Sequence, residues 1–178
     1  MIERRATEGR DAASVALVLG LGNPLRGDDG IGPRVIEELR KIELPEGAEA
    51  VDAGTGGIDL LHIMEGWDRV IVVDAADIHR PPGHFRRFSP EEVQLLKADG
   101  RFSYHRAGLA DALALARALG RPLPDIVVFG VQPGVIGWGQ GLSPAVEARL
   151  PALVDAVTGE LSRGDKNECQ TTGTLTSL

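Results

Sequence analysis

Leu19-Gly20-Leu21-Gly22-Asn23-Pro24-Leu25-Arg26-Gly27-Asp28-Asp29-Gly30-Ile31-Gly32 is the stretch on which the reading of the fold turns. An apolar run, Val15 to Leu19, leads into it, and a helix-spaced set, Val35, Ile36 and Leu39, leads out. The stretch holds five glycines, a proline and two adjacent carboxylates. Glycine permits positive φ and lets another chain come close. A strand, glycine turn and helix in that order form the junction at which open α/β sheets hold their ligands. Asp29 is expected to be half of a metal grip whose other members lie far along the chain.

The rest of the chain repeats the alternation. Glu49 to Asp52 reads as a second strand, running into Ala53-Gly54-Thr55-Gly56-Gly57 and a helix from about Ile58 to Glu65. Leu60, Leu61 and Met64 form that helix's inner stripe. Arg69 to Val73 is a third strand, with Asp74 at its carboxyl end. Pro81-Pro82-Gly83 breaks the chain before an edge strand at His84–Phe88, and Ser89-Pro90-Glu91-Glu92 opens a short helix. A helix over Leu109–Leu119 carries Leu109, Leu113 and Ala116 at helical spacing, and Asp125–Val131 is a fourth strong strand. Ser143-Pro144 is expected to cap one last amphipathic helix ending near Leu161. Helices alternating with short aliphatic runs predict a single-domain α/β fold: a three-layer α/β/α sandwich around a twisted, mainly parallel sheet. The domain is placed at residues 15–162, behind a loose leader (1–14) and ahead of a small, polar tail (163–178) expected to be disordered.

Composition narrows the function. At 178 residues the chain suits one domain with a sizeable core. A net charge of −7 argues against a general nucleic-acid binder and against a polybasic membrane anchor. The single cysteine, Cys169, excludes an intrachain disulfide and cysteine-rich zinc chemistry. The start lacks the apolar core of a signal peptide, and no apolar run approaches the ~20 residues that span a bilayer. A cytoplasmic protein is the expectation.

Three residues stand out as ligands. Asp28 and Asp29 can be read as helix caps, but one carboxylate suffices for a cap and the second needs another reason. Asp74 ends four aliphatic residues, Val70-Ile71-Val72-Val73, a position that desolvates a carboxylate and that carries the sites of open parallel sheets. His105 lies between a polar loop and a helix start, and by itself reads as an ordinary surface or capping histidine. His79 and His84, flanking the proline turn, are spare candidates. Two carboxylates and an imidazole suit nickel, zinc, manganese or iron, with open coordination positions left over. A rival reading takes Gly20-x-Gly22 and Asp52 as a dinucleotide fingerprint. Leu25 stands where its third glycine belongs, and Pro24 removes an N–H that a pyrophosphate needs. Asn23, Asp28, Asp52, Gly54, Thr55 and Gly56 are read instead as lining a cleft for an extended peptide. No serine has a nucleophile-elbow context.

With these residues in place the chain resembles the hydrogenase maturation endopeptidases. The matching segments are Gly20 through Gly32, Asp52-Ala53-Gly54-Thr55-Gly56-Gly57, Val72-Val73-Asp74-Ala75, and His105 through Gly108-Leu109-Ala110-Asp111. Gly130-Val131-Gln132-Pro133 and Gly141-Leu142-Ser143-Pro144 complete the set, which covers roughly residues 15–162 in order. The resemblance implies an α/β/α sandwich and one cut that removes a C-terminal extension from the nickel-loaded large subunit of a nickel–iron hydrogenase. By position, the family's metal-binding residues fall on Asp29, Asp74 and His105, which would also be catalytic, and Asp28 falls on a neighbouring acidic position. The nickel would be supplied by the substrate, with no organic cofactor. Tyr104 precedes His105 where some members carry proline, and the leader and tail lie outside the pattern. A metal-sensing chaperone that does not cut, and a nucleotide-binding α/β enzyme, are the competing readings.

Overall fold

A computed structural model describes residues 15–93, 108–139 and 141–168. Strand β1 (Ala16–Leu21) enters a 3-10 turn at Gly27–Gly30 and helix α1 (Ile31–Leu39). Then come β2 (Ala48–Gly54), α2 (Leu60–Ile63), β3 (Arg69–Ala75), β4 (Phe85–Phe88), α3 (Leu109–Ala118) and β5 (Asp125–Val131). Two helices close the described chain, α4 (Pro144–Glu147) and α5 (Leu150–Glu168).

The five strands lie in the order β2-β1-β3-β5-β4. All neighbours are parallel except the β4–β5 pair at one edge. Side chains alternate between the two faces of a strand, and both faces are buried here. Leu17, Leu19, Val70, Val72, Ile126 and Val128 pack beneath α2 and α3. Val18, Ile71, Val73, Val127 and Phe129 pack against α1, α4 and α5. This division is what right-handed crossovers require: the β1-to-β2 connection covers one face, and the β2-to-β3 connection returns over the other. The expected three-layer α/β sandwich is the fold observed.

Several boundaries differ from the sequence reading: β2 is longer than Glu49–Asp52, and α2 is shorter than the helix expected from Ile58 to Glu65. Asp74 lies one residue inside β3, paired with Gly130 of β5, because the ladder continues to Ala75 and Val131. The last helix is two helices, with a turn at Ala148–Arg149 between α4 and α5. The second of these runs to Glu168, past residue 162 where the domain was expected to end. No described helix is long and apolar enough to cross a membrane. Residues 1–14, Tyr104, His105 and Cys169 lie outside the described residues.

Candidate active site

The connections leave β1 and β3 in opposite directions, so the sheet has its topological switch between these two neighbours. Ligands of open α/β sheets bind outside the carboxyl ends of the strands at such a point. Asp29 follows β1 and Asp74 is the penultimate residue of β3, on the two sides of the switch. Both are sealed from water, at 0% and 1% exposure.

Glycine sets the approach of Asp29. Gly22 holds φ at +133°, and a Cβ on it would fall 1.8 Å from the Asp29 carbonyl oxygen. A Cβ on Gly32 would fall 2.1 Å from the Leu21 carbonyl oxygen. The turn and α1 therefore sit directly on the backbone of β1, which drives the Asp29 side chain into the sheet's end. One Asp29 oxygen, Oδ2, accepts the Asn23 backbone N–H at 3.2 Å. The Asn23 side chain accepts the Leu25 N–H at 2.9 Å, which fixes the turn that aims that donor.

Neither acid caps a helix: the 3-10 turn and α1 both begin without a side-chain cap. Asp28, expected to line the cleft, is buried at 1% exposure and fully engaged elsewhere. Its Oδ2 accepts Gly134 N–H (2.7 Å), Val135 N–H (2.8 Å) and the Ser143 hydroxyl (2.8 Å), and Oδ1 accepts Ser143 N–H (2.6 Å). Asp28 is a lock between the first turn and the loop after β5. Ser143 accordingly does not cap α4 with its side chain; its hydroxyl serves Asp28.

The second glycine loop lies beside the first turn, since Gly22 N–H donates to the Gly54 carbonyl at 2.7 Å. Asp52 is exposed and accepts the Gly54 N–H at 2.9 Å, shaping a turn in which Gly54 holds φ at +58°. Thr55 is exposed and Gly56 half-buried. The loop after β3 is held by a residue the sequence reading gave no role. Gln132 accepts Ile78 N–H (2.8 Å) and Arg80 N–H (3.2 Å) on its side-chain oxygen. Between those donors His79 is held at φ +54°, outside the region side chains favour. The available signals were a polar amide directly after a buried strand and its place in the Gly130-Val131-Gln132-Pro133 segment. His79 and His84 are both exposed; the first faces Asp77 at 3.2 Å and the second the Pro81 carbonyl at 3.0 Å.

Asp29 and Asp74 are thus brought to one end of the sheet, and His105 lies outside the described residues. Among the described residues no group of three His, Cys, Asp or Glu side chains is placed to hold a metal ion. A cavity of about 390 Å³ lies at the opposite end, between Trp67 and Leu123 beside the first residues of β3 and β5, and none of these candidates lines it.

A sequence model of the hydrogenase maturation proteases (HycI) matches residues 33–160. The Hydrogenase 2 maturation protease of Escherichia coli K12 is 36% identical over 147 residues, spanning 82% of this chain and 89% of that one. The hydrogenase expression/formation protein HupD of Bradyrhizobium diazoefficiens is 35% identical over 141 residues, 78% of this chain and 73% of its own. Among solved structures, the hydrogenase maturating endopeptidase HybD from E. coli superposes with a TM-score of 0.75 at 36% identity, covering 84% of this chain and 93% of that one. The maturation protease HybD of Thermococcus kodakarensis gives 0.68 at 28% identity, covering 83% and 99%. Sequence and fold agree: the chain belongs to the hydrogenase maturation protease family, and it is a peptidase.

Proposed function

We propose that the chain removes a C-terminal extension from the large-subunit precursor of a nickel–iron hydrogenase after nickel has been inserted. Asp29, Asp74 and His105 would meet the nickel that the precursor carries, so the metal is part of the substrate. The observation that carries this reading is the pair of sealed carboxylates on either side of the β1/β3 switch, neither of them used as a helix cap. A carboxylate in such a low-dielectric setting attracts a cation far more strongly than one in water. A precursor without nickel brings no cation to them, which gives the enzyme a test of cargo as well as of sequence.

The nickel would polarise the scissile carbonyl or a water molecule. Hydrolysis then places the water oxygen on the carbonyl carbon, breaks the C–N bond and delivers a proton to the departing amine. A site carboxylate or His105 would carry that proton. The glycine turn at Gly54 has nothing within 4 Å of its missing Cβ, which leaves that strand end open to an extended chain.

The test is incubation of purified protein with nickel-loaded and nickel-free precursor, followed by intact-mass measurement. The loaded precursor should lose one C-terminal peptide and the nickel-free form none. Stable binding without any mass loss would support a chaperone that senses metal and would end the peptidase assignment for this client.

A further inference from the structure

The loop after β5 runs Pro133-Gly134-Val135-Ile136-Gly137-Trp138-Gly139-Gln140-Gly141-Leu142 without a charged residue, in a chain of net charge −7. Trp138 is 87% exposed and Val135 62%. On the facing turn, Leu25 is 47% exposed. Solvent-facing aromatic and aliphatic side chains gathered in one place mark an interaction surface.

This loop is built, not slack. Asp28 takes four hydrogen bonds from Gly134, Val135 and Ser143 at its two ends. Gly27 N–H donates to the Gly139 carbonyl, and Gly139 N–H donates to the Leu25 carbonyl, both at 3.0 Å. Asp28 N–H donates to the Val135 carbonyl, also at 3.0 Å. The turn that carries Asp29 and the loop that carries Trp138 are therefore one stitched unit. Gly137 has an ordinary φ and nothing near the place of its missing Cβ, so the fold itself does not call for glycine there. A bare backbone beside an exposed indole on a stitched loop suits an extended chain laid across it.

We propose that Trp138, flanked by Val135 and Leu25 and held in place through Asp28, is a specificity-determining anchor for an apolar, extended stretch of the precursor beside the scissile bond. The surface adjoins the Asp29 turn, and its exposed side chains, Trp138, Val135 and Leu25, are apolar, with Arg26 half-buried beside them where it bridges Gly139, which is why the occupant is an apolar segment of the substrate. The proposal rests on the peptidase reading above. Tryptophan on a rigid support is a favoured binding anchor, because little conformational freedom is lost when it is covered.

The experiment compares wild type, Trp138→Ala and Trp138→Phe on nickel-loaded precursor. It measures kcat and KM from the released peptide, and dissociation constants on immobilised precursor. Trp138→Ala should raise KM and the dissociation constant by about tenfold or more, and Trp138→Phe should restore most of the loss. Thermal unfolding of both variants should match wild type, since the side chain is in water. If wild type cuts and Trp138→Ala shows an unchanged KM, the anchor is refuted and the peptidase reading stands. If wild type binds without cutting and Trp138→Ala weakens binding, the anchor stands and the peptidase reading falls. No binding by wild type refutes both.

Discussion

Gly32 shows how little room the first turn leaves. A Cβ there would press on the Leu21 carbonyl oxygen at 2.1 Å and the Leu21 nitrogen at 2.5 Å, and backbone on both sides prevents relief. Gly32→Ala should therefore cost about 3 kcal/mol or more, read from denaturant unfolding. The two acids of the candidate site, Asp29 and Asp74, are each tested by substitution. Asp29→Asn and Asp74→Asn keep side-chain shape and remove one negative charge each, so both should fold with unfolding midpoints near wild type. If these carboxylates meet the nickel, precursor processing by either variant should vanish; full processing by both would refute the assignment. The Asp28-Asp29 pair stood out in the sequence because two adjacent acids exceed the need of one helix start. Their division of labour did not, since the partners of Asp28 lie 106 to 115 positions away. No local pattern carries contacts of that span.

At the scale of elements, a single polar side chain, buried for Asp28 and half-buried for Gln132, fixes each of two loops at the carboxyl ends of the strands. Asp28 holds the loop after β5, and Gln132 holds the loop after β3 through the Ile78 and Arg80 N–H groups. Removing the amide frees two donors and lets His79 leave its positive φ. Gln132→Ala should cost about 1–2 kcal/mol and speed hydrogen exchange at the amides of residues 78 and 80. Unchanged exchange at both would show that the loop is held by other contacts. Of the strands, β5 was read to the residue, β3 two residues short, and the half-exposed β2 as only four of its inner residues. Burial on both faces writes β3 and β5 as continuous aliphatic runs, which turn residues bracket. The last helix was read less well. Its apolar stripe, Val146, Leu150, Leu153, Val157 and Leu161, continues smoothly through the break at Ala148–Arg149, so periodicity alone joins α4 to α5.

Across the whole molecule, Glu160 ties the outer helix layer to the sheet. It sits on α5 at 2% exposure, and its carboxylate accepts hydrogen bonds from Arg69 at the start of β3 and from Arg87 on the edge strand β4. Arg163, one turn along the same helix, adds a third cation at 3.3 Å. One acid thereby spans β5, which lies between the two strands it holds. Helical spacing sets Glu160 beside the apolar stripe, three residues after Val157 and seven after Leu153, but nothing in the helix pattern announces the arginines from distant strands that meet it. Burial works to raise its carboxyl pKa. The Arg87 hydrogen bond and the charges of Arg87, Arg69 and Arg163 outweigh burial and hold the pKa below the ordinary carboxylate value. The sign follows from linkage. A carboxyl whose folded pKa is depressed contributes stability that is fully present above its unfolded pKa, about 4.3, and is lost as pH falls through the folded value. Glu160→Gln should cost about 2 kcal/mol at pH 7, and the gap to wild type should narrow below about pH 4 as the native carboxyl takes up its proton. Urea unfolding of both proteins at several pH values measures it. A gap that is constant from neutral to acid pH would mean that shape rather than charge holds α5 in place.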